Sequence, residues 1–171
     1  LFMVALLTSH TLPAQDIDSP AQYPSPSVKQ LTAWIMHTGD HRLKSFYVVD
    51  KVEATLHIFD LHGRWQASTP VLLGVAIGDD SVPGIGQRPL AHISPAERTT
   101  PAGRFLAESG PNLHGEQVVW VDYDTAFSMH RVRVGVPHER RAERLQTLSV
   151  TDNRISYGCI NVPVAFYDRY I

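Results

Sequence analysis

The chain has 171 residues, 43% of them hydrophobic and 19% charged, with a formal net charge of −2. That length and balance suit one soluble globular domain with a tail, and the weak acidic balance gives no argument for a nucleic-acid partner. A single cysteine, Cys159, excludes an internal disulfide framework. The apolar run Leu1-Phe-Met-Val-Ala-Leu-Leu7, followed by Leu12-Pro-Ala14, reads as the remaining part of a signal peptide over residues 1–15; an ordinary buried segment is the alternative. The run is too short to cross a bilayer, so no stable membrane span is expected.

Residues 16–44 read as a linker and an N-terminal helix. Pro20, Pro24 and Pro26 among serines make an extended tether from Asp16 to Ser27. Val28, Leu31, Trp34 and Ile35 then fall on one helical face, with Pro26-Ser27 as a start and Gly39 as a stop. His37 and His41 are four apart, but Gly39 between them argues against a continuous metal-binding face, and no metal site is assigned. From Phe46 the period becomes that of strands. Runs at 46–49, 54–59 and 65–76, the last interrupted near Pro70, read as an antiparallel meander with a turn at Asp60-Leu-His-Gly63. His57 alternates with Leu56 and Ile58 and faces the other side of its strand. Gly84-x-Gly86 lacks the third glycine and the helix of a dinucleotide-binding loop.

Pro101 and Gly103 set a turn before an expected strand at 104–107, and 109–112 reads as a loop. Strands follow at 117–123 and 126–132, joined at Asp124-Thr125. In the second of these, Phe127, Met129 and Arg131 share one face, and Ala126, Ser128 and His130 share the other. With Phe127 and Met129 toward the core, His130 points to an open face. Residues 136–148 open on Pro137 with helical character and read either as an excursion over a site or as a neutral surface insertion. A last helix begins near Pro163, and the chain stops inside it at Ile171, which implies C-terminal truncation.

Cys159 lies in Ser156-Tyr-Gly-Cys-Ile-Asn161, where a loop is expected to enter that helix. Free N–H groups and the helix dipole favour a thiolate at such a junction. A lone cysteine is equally one of the most buried residue types, so the local sequence leaves a nucleophile and a core residue both open.

Ser156-Tyr-Gly-Cys-Ile-Asn161 resembles the Ser/Thr-His-Gly-Cys-hydrophobic-Asn/Arg signature of the L,D-transpeptidase (YkuD-like) catalytic domain. Thr99-Thr-Pro-Ala-Gly-Arg-Phe105 resembles that family's Thr-Pro-x-Gly-x-Phe/Tyr segment, and Ala126-Phe-Ser-Met-His130 its strand ending in the catalytic histidine. The three occur in the family's order across residues 45–171. The chain departs from the family in carrying Tyr157 where a histidine is usual, and in the 29 positions from His130 to Cys159, a longer interval than usual.

The resemblance implies a mostly β fold, a sandwich or partial barrel with a few helices. It implies Cys159 as nucleophile and His130 as general base and acid, oriented by the Arg131 backbone carbonyl. The Gly158 N–H, with that of Cys159 and the N–H or phenol of Tyr157, would serve the oxyanion. Ser156 and Asn161 would brace the loop beside the substrate, and Arg154, with Asn153, would meet a substrate carboxylate. The implied partner is the peptidoglycan stem peptide, handled in the periplasm or cell envelope without a cofactor. Transfer to an acceptor amine, hydrolysis as an L,D-carboxypeptidase, and a silent cell-wall binding module are the readings this leaves.

Overall fold

The computed structural model describes residues 23–171. The signal-peptide expectation and the first part of the expected linker lie outside them. The described chain is mostly β with a few helices, arranged in three sheets with no closed barrel among the described residues. No helix among them is long and apolar enough to cross a membrane.

Helix α1 (Pro26–Thr38) starts two residues earlier than its apolar spacing suggests. Ser25 caps it by accepting from the Val28 amide at 3.2 Å, and Pro26 sits at its first turn, where no backbone donor is needed. Gly39, left-handed at φ 67°, ends it. Val28 and Ile35 pack against Val48, Phe59, Phe46 and Trp65, whereas Leu31 and Trp34, expected on the same buried face, stay exposed. The face that meets the sheet is 28, 32 and 35, with Thr32 in the middle.

Beneath α1 lies the expected antiparallel meander of β1 (Phe46–Asp50), β2 (Thr55–Phe59) and β3 (Trp65–Pro70). Two aspartates shape its turns. Asp50 accepts from the Val52 and Glu53 amides, and Asp60 from those of His62 and Arg64. Strand β4 (Leu73–Gly74) then leaves the meander and pairs in parallel with β8 (Arg154–Ser156).

The third sheet has the order β5 (Glu108–Pro111), β6 (Gln117–Asp122), β7 (Phe127–Arg131) and β9 (Ile160–Val162). The strand expected at 104–107 is not one; pairing begins at Glu108 and runs through the expected loop to Pro111. Asn112 is the cause. Its Oδ1 accepts from the His114 and Glu116 amides, which centres the hairpin at 112–116 and places 108–111 opposite 117–120. Strands β7 and β9 are parallel neighbours. A parallel pair needs a long crossover, which is what the interval between His130 and Cys159 supplies. That crossover is less helical than its sequence suggests: it holds a 3-10 turn at Pro137–Glu139 and the single-turn helix α2 (Arg141–Arg144).

Helix α3 (Val164–Tyr170) follows β9. Cys159 is therefore not at a helix start: β9 stands between it and α3, and the expected helix-dipole support does not apply. The main core gathers Leu56, Val71, Leu73, Val119, Phe127, Met129, Ile160, Val162 and Tyr167 where the sheets and α3 meet.

Candidate active site

Cys159 and His130 come together because β7 and β9 pair side by side. His130 is the register partner of Asn161, two residues beyond the cysteine. Ser128 and His130, on one face of β7, both reach the partly exposed thiol. Ser128 Oγ lies 3.6 Å from Cys159 Sγ, the thiol donates to the Ala126 carbonyl at 3.7 Å, and His130 acts electrostatically on that sulfur. Met129, on the other face, enters the core, as the alternation of the strand requires.

His130 Nδ1 is 2.7 Å from the Arg131 carbonyl oxygen. A carbonyl can only accept, so Nδ1 carries the proton and Nε2 is left as the base toward the sulfur. The Arg131 side chain is engaged elsewhere, on Asp168 at 2.7 Å and over the Tyr167 ring. Burial pushes the Cys159 thiol up, but the hydrogen bond and charge of His130, with donors from Ser128, outweigh it and hold the thiol below its ordinary value. The arrangement sets a thiol of lowered pKa near an imidazole, the pairing on which nucleophilic thiol chemistry relies.

The loop before Cys159 is built from contacts that leave little room. Gly158 has φ +127°, and a Cβ there would stand 2.7 Å from the Thr99 carbonyl oxygen. Its N–H donates to Ser156 Oγ at 3.1 Å, so it is not the free oxyanion donor that the resemblance implies. Among the described residues, the amides of Tyr157 and Cys159 have no such partner and are the donors left for an oxyanion. The Tyr157 ring is stacked under the Arg98 guanidinium, 3.8 Å from ring centre to Cζ.

Three residues expected to meet substrate have other work. Ser156, 2% exposed, donates to the Cys159 carbonyl at 2.7 Å. Asn161, 1% exposed, spans Cys159 and His130 from within, its Nδ2 lying 3.2 Å from the Cys159 carbonyl and 3.5 Å from His130 Nε2. Arg154 donates to the Lys51 carbonyl in the β1–β2 turn. Asn153 is buried and donates to Val71. Bracing the loop, which the resemblance also implies, is the role the structure gives to Ser156 and Asn161.

Sequence reasoning passed over Thr100, Ser128, Arg98 and Arg141. The face shared with His130 was the available signal for Ser128. Thr100 had none beyond its place in the Thr-Pro-x-Gly segment. Thr100, 1% exposed, accepts from the Gly74 amide at 2.8 Å and donates to the Gly158 carbonyl at 2.7 Å, so one hydroxyl ties β4 to the cysteine loop. Thr100→Val keeps the shape but leaves both backbone groups buried without that partner. Denaturant unfolding is expected to show a loss on the order of 3 kcal/mol; an unchanged midpoint would refute the tie.

No protein-family model matches the chain, and no curated protein or solved structure matches it.

Proposed function

We propose that this chain is a cysteine acyltransferase of the L,D-transpeptidase kind, acting on peptidoglycan tetrapeptide stems in the periplasm or cell envelope. The observation that carries the reading is the Cys159–His130 pair, with Nδ1 of the histidine held by the Arg131 carbonyl. It adds to the resemblance of the cysteine, histidine and Thr-Pro-x-Gly segments.

The Cys159 thiolate attacks the carbonyl that joins the third stem residue, a diamino acid such as meso-diaminopimelate, to the terminal D-alanine. The tetrahedral oxyanion takes hydrogen bonds from the Tyr157 and Cys159 amides. The protonated Nε2 of His130 gives its proton to the leaving amine, the C–N bond breaks, and D-alanine departs from a thioester. An acceptor amine from another stem or from a protein then attacks the thioester and loses a proton to Nε2. The thiolate leaves and the resting pair is restored. The steps need no metal or organic cofactor. Water in the acceptor's place would make the enzyme an L,D-carboxypeptidase.

The test is mass spectrometry of the chain and its Cys159→Ala variant after incubation with disaccharide-tetrapeptide. A cross-linked dimer formed with loss of D-alanine, absent in the variant, is the expected result. A tripeptide alone would assign the carboxypeptidase. Unchanged substrate from folded wild type would refute both and leave the cell-wall binding module.

A further inference from the structure

The crossover between β7 and β9 reaches back to the site through one side chain. Arg141, the first residue of α2, places Nη1 2.7 Å from Asn161 Oδ1. Its Nε is held 2.6 Å from Glu139 Oε2, and both side chains are largely buried. Arg144 steadies the same turn by donating to the Glu139 carbonyl at 2.7 Å.

These contacts decide which way the Asn161 amide points. A guanidinium has only donors, so the oxygen must face Arg141. The Cys159 carbonyl only accepts, so the NH2 must face Cys159, and it then also faces His130 Nε2. When His130 is protonated, its Nε2–H therefore meets another donor at Asn161 and finds its acceptor in the sulfur. A reversed amide would bring Oδ1 beside Nε2, where it would take that hydrogen bond and draw the ring from the thiolate.

We propose that Arg141 is a positioning residue of the site: it keeps the Asn161 oxygen turned away from His130, so that the Nε2 proton is shared with Cys159 Sγ. This gives the crossover a role in the chemistry that its helical pattern did not reveal. The proposal rests on the cysteine–histidine reading above.

The test is the rate of Cys159 alkylation by iodoacetamide against pH in the full chain, for wild type and the His130→Ala, Arg141→Met, Arg141→Lys and Glu139→Gln variants. Thermal unfolding of each is followed alongside. Other charge near the pair comes from Glu116, which is bound to Arg133 and feels the charge of His130. Arg141→Met is expected to raise the inflection by about one pH unit and to slow alkylation at pH 7 roughly tenfold. Arg141→Lys, which keeps a donor for Oδ1, is expected to restore most of this.

Glu139→Gln separates positioning from plain charge. Removing a carboxylate near the thiol would by itself lower the inflection; a loosened Arg141 raises it. A rise supports the proposal even if Arg141→Met fails to fold. A fall in Glu139→Gln, or a wild-type curve unmoved by any folded variant at 139 or 141, overturns it. A wild-type curve with the same inflection as His130→Ala would instead overturn the cysteine–histidine reading beneath it.

Discussion

His130→Ala is expected to lower acyl transfer by about two to four orders of magnitude, the range of a lost acid–base group. It is also expected to move the alkylation inflection of Cys159 upward. The sign follows from the balance at the sulfur. Burial favours the neutral thiol, and the histidine's hydrogen bond and charge reverse that preference. Without His130 the burial contribution is opposed only by Ser128, so the thiol titrates at or above the ordinary value of about 8.5 and only a few per cent is thiolate at pH 7. The wild type, with its thiol held lower, keeps its thiolate to lower pH. Turnover and alkylation measured over the same pH range check both parts; coincident curves would show that His130 does not set the state of the cysteine.

Gly158→Ala is expected to cost on the order of 3 kcal/mol or more and to abolish turnover. Two penalties act together. The backbone is at φ +127°, a region that side-chain-bearing residues rarely adopt, and the new Cβ would meet the Thr99 carbonyl oxygen at 2.7 Å. That oxygen cannot withdraw cheaply. Thr99 is bridged to Ala76, and Thr100 is bonded to both Gly74 and Gly158. Relief must come from the cysteine loop, which moves Sγ away from His130. Denaturant unfolding measures the first effect, and the mass-spectrometric assay the second. A variant with native stability and turnover would show that the loop rebuilds around a side chain.

The strands at 46–50, 55–59, 117–122 and 127–131 were legible because alternation is a property of neighbouring residues. The ends of α1 were legible for the same reason: Pro26 and Gly39 act within one turn of themselves. So was the face of His130, fixed by its parity with Ser128 against Met129. Errors arose where a distant partner decided. Residues 104–107 have strand-like composition, but the Asn112 turn hands the ladder to 108–111. Leu31 and Trp34 share the apolar spacing of α1, but the sheet meets the helix along 28, 32 and 35.

The sequence alone thus determined a β-rich chain, a thiol in a glycine-tight loop and a histidine on one strand face. The parallel pairing of β7 with β9 is what made them neighbours. The same pairing brought Arg141 to Asn161 across 20 positions of chain, and Arg154, on β8 beside β4, reaches the Lys51 carbonyl across 103. Periodicity and turn chemistry act over a few residues, whereas each of these hydrogen-bond partners depends on which loops the paired strands bring together.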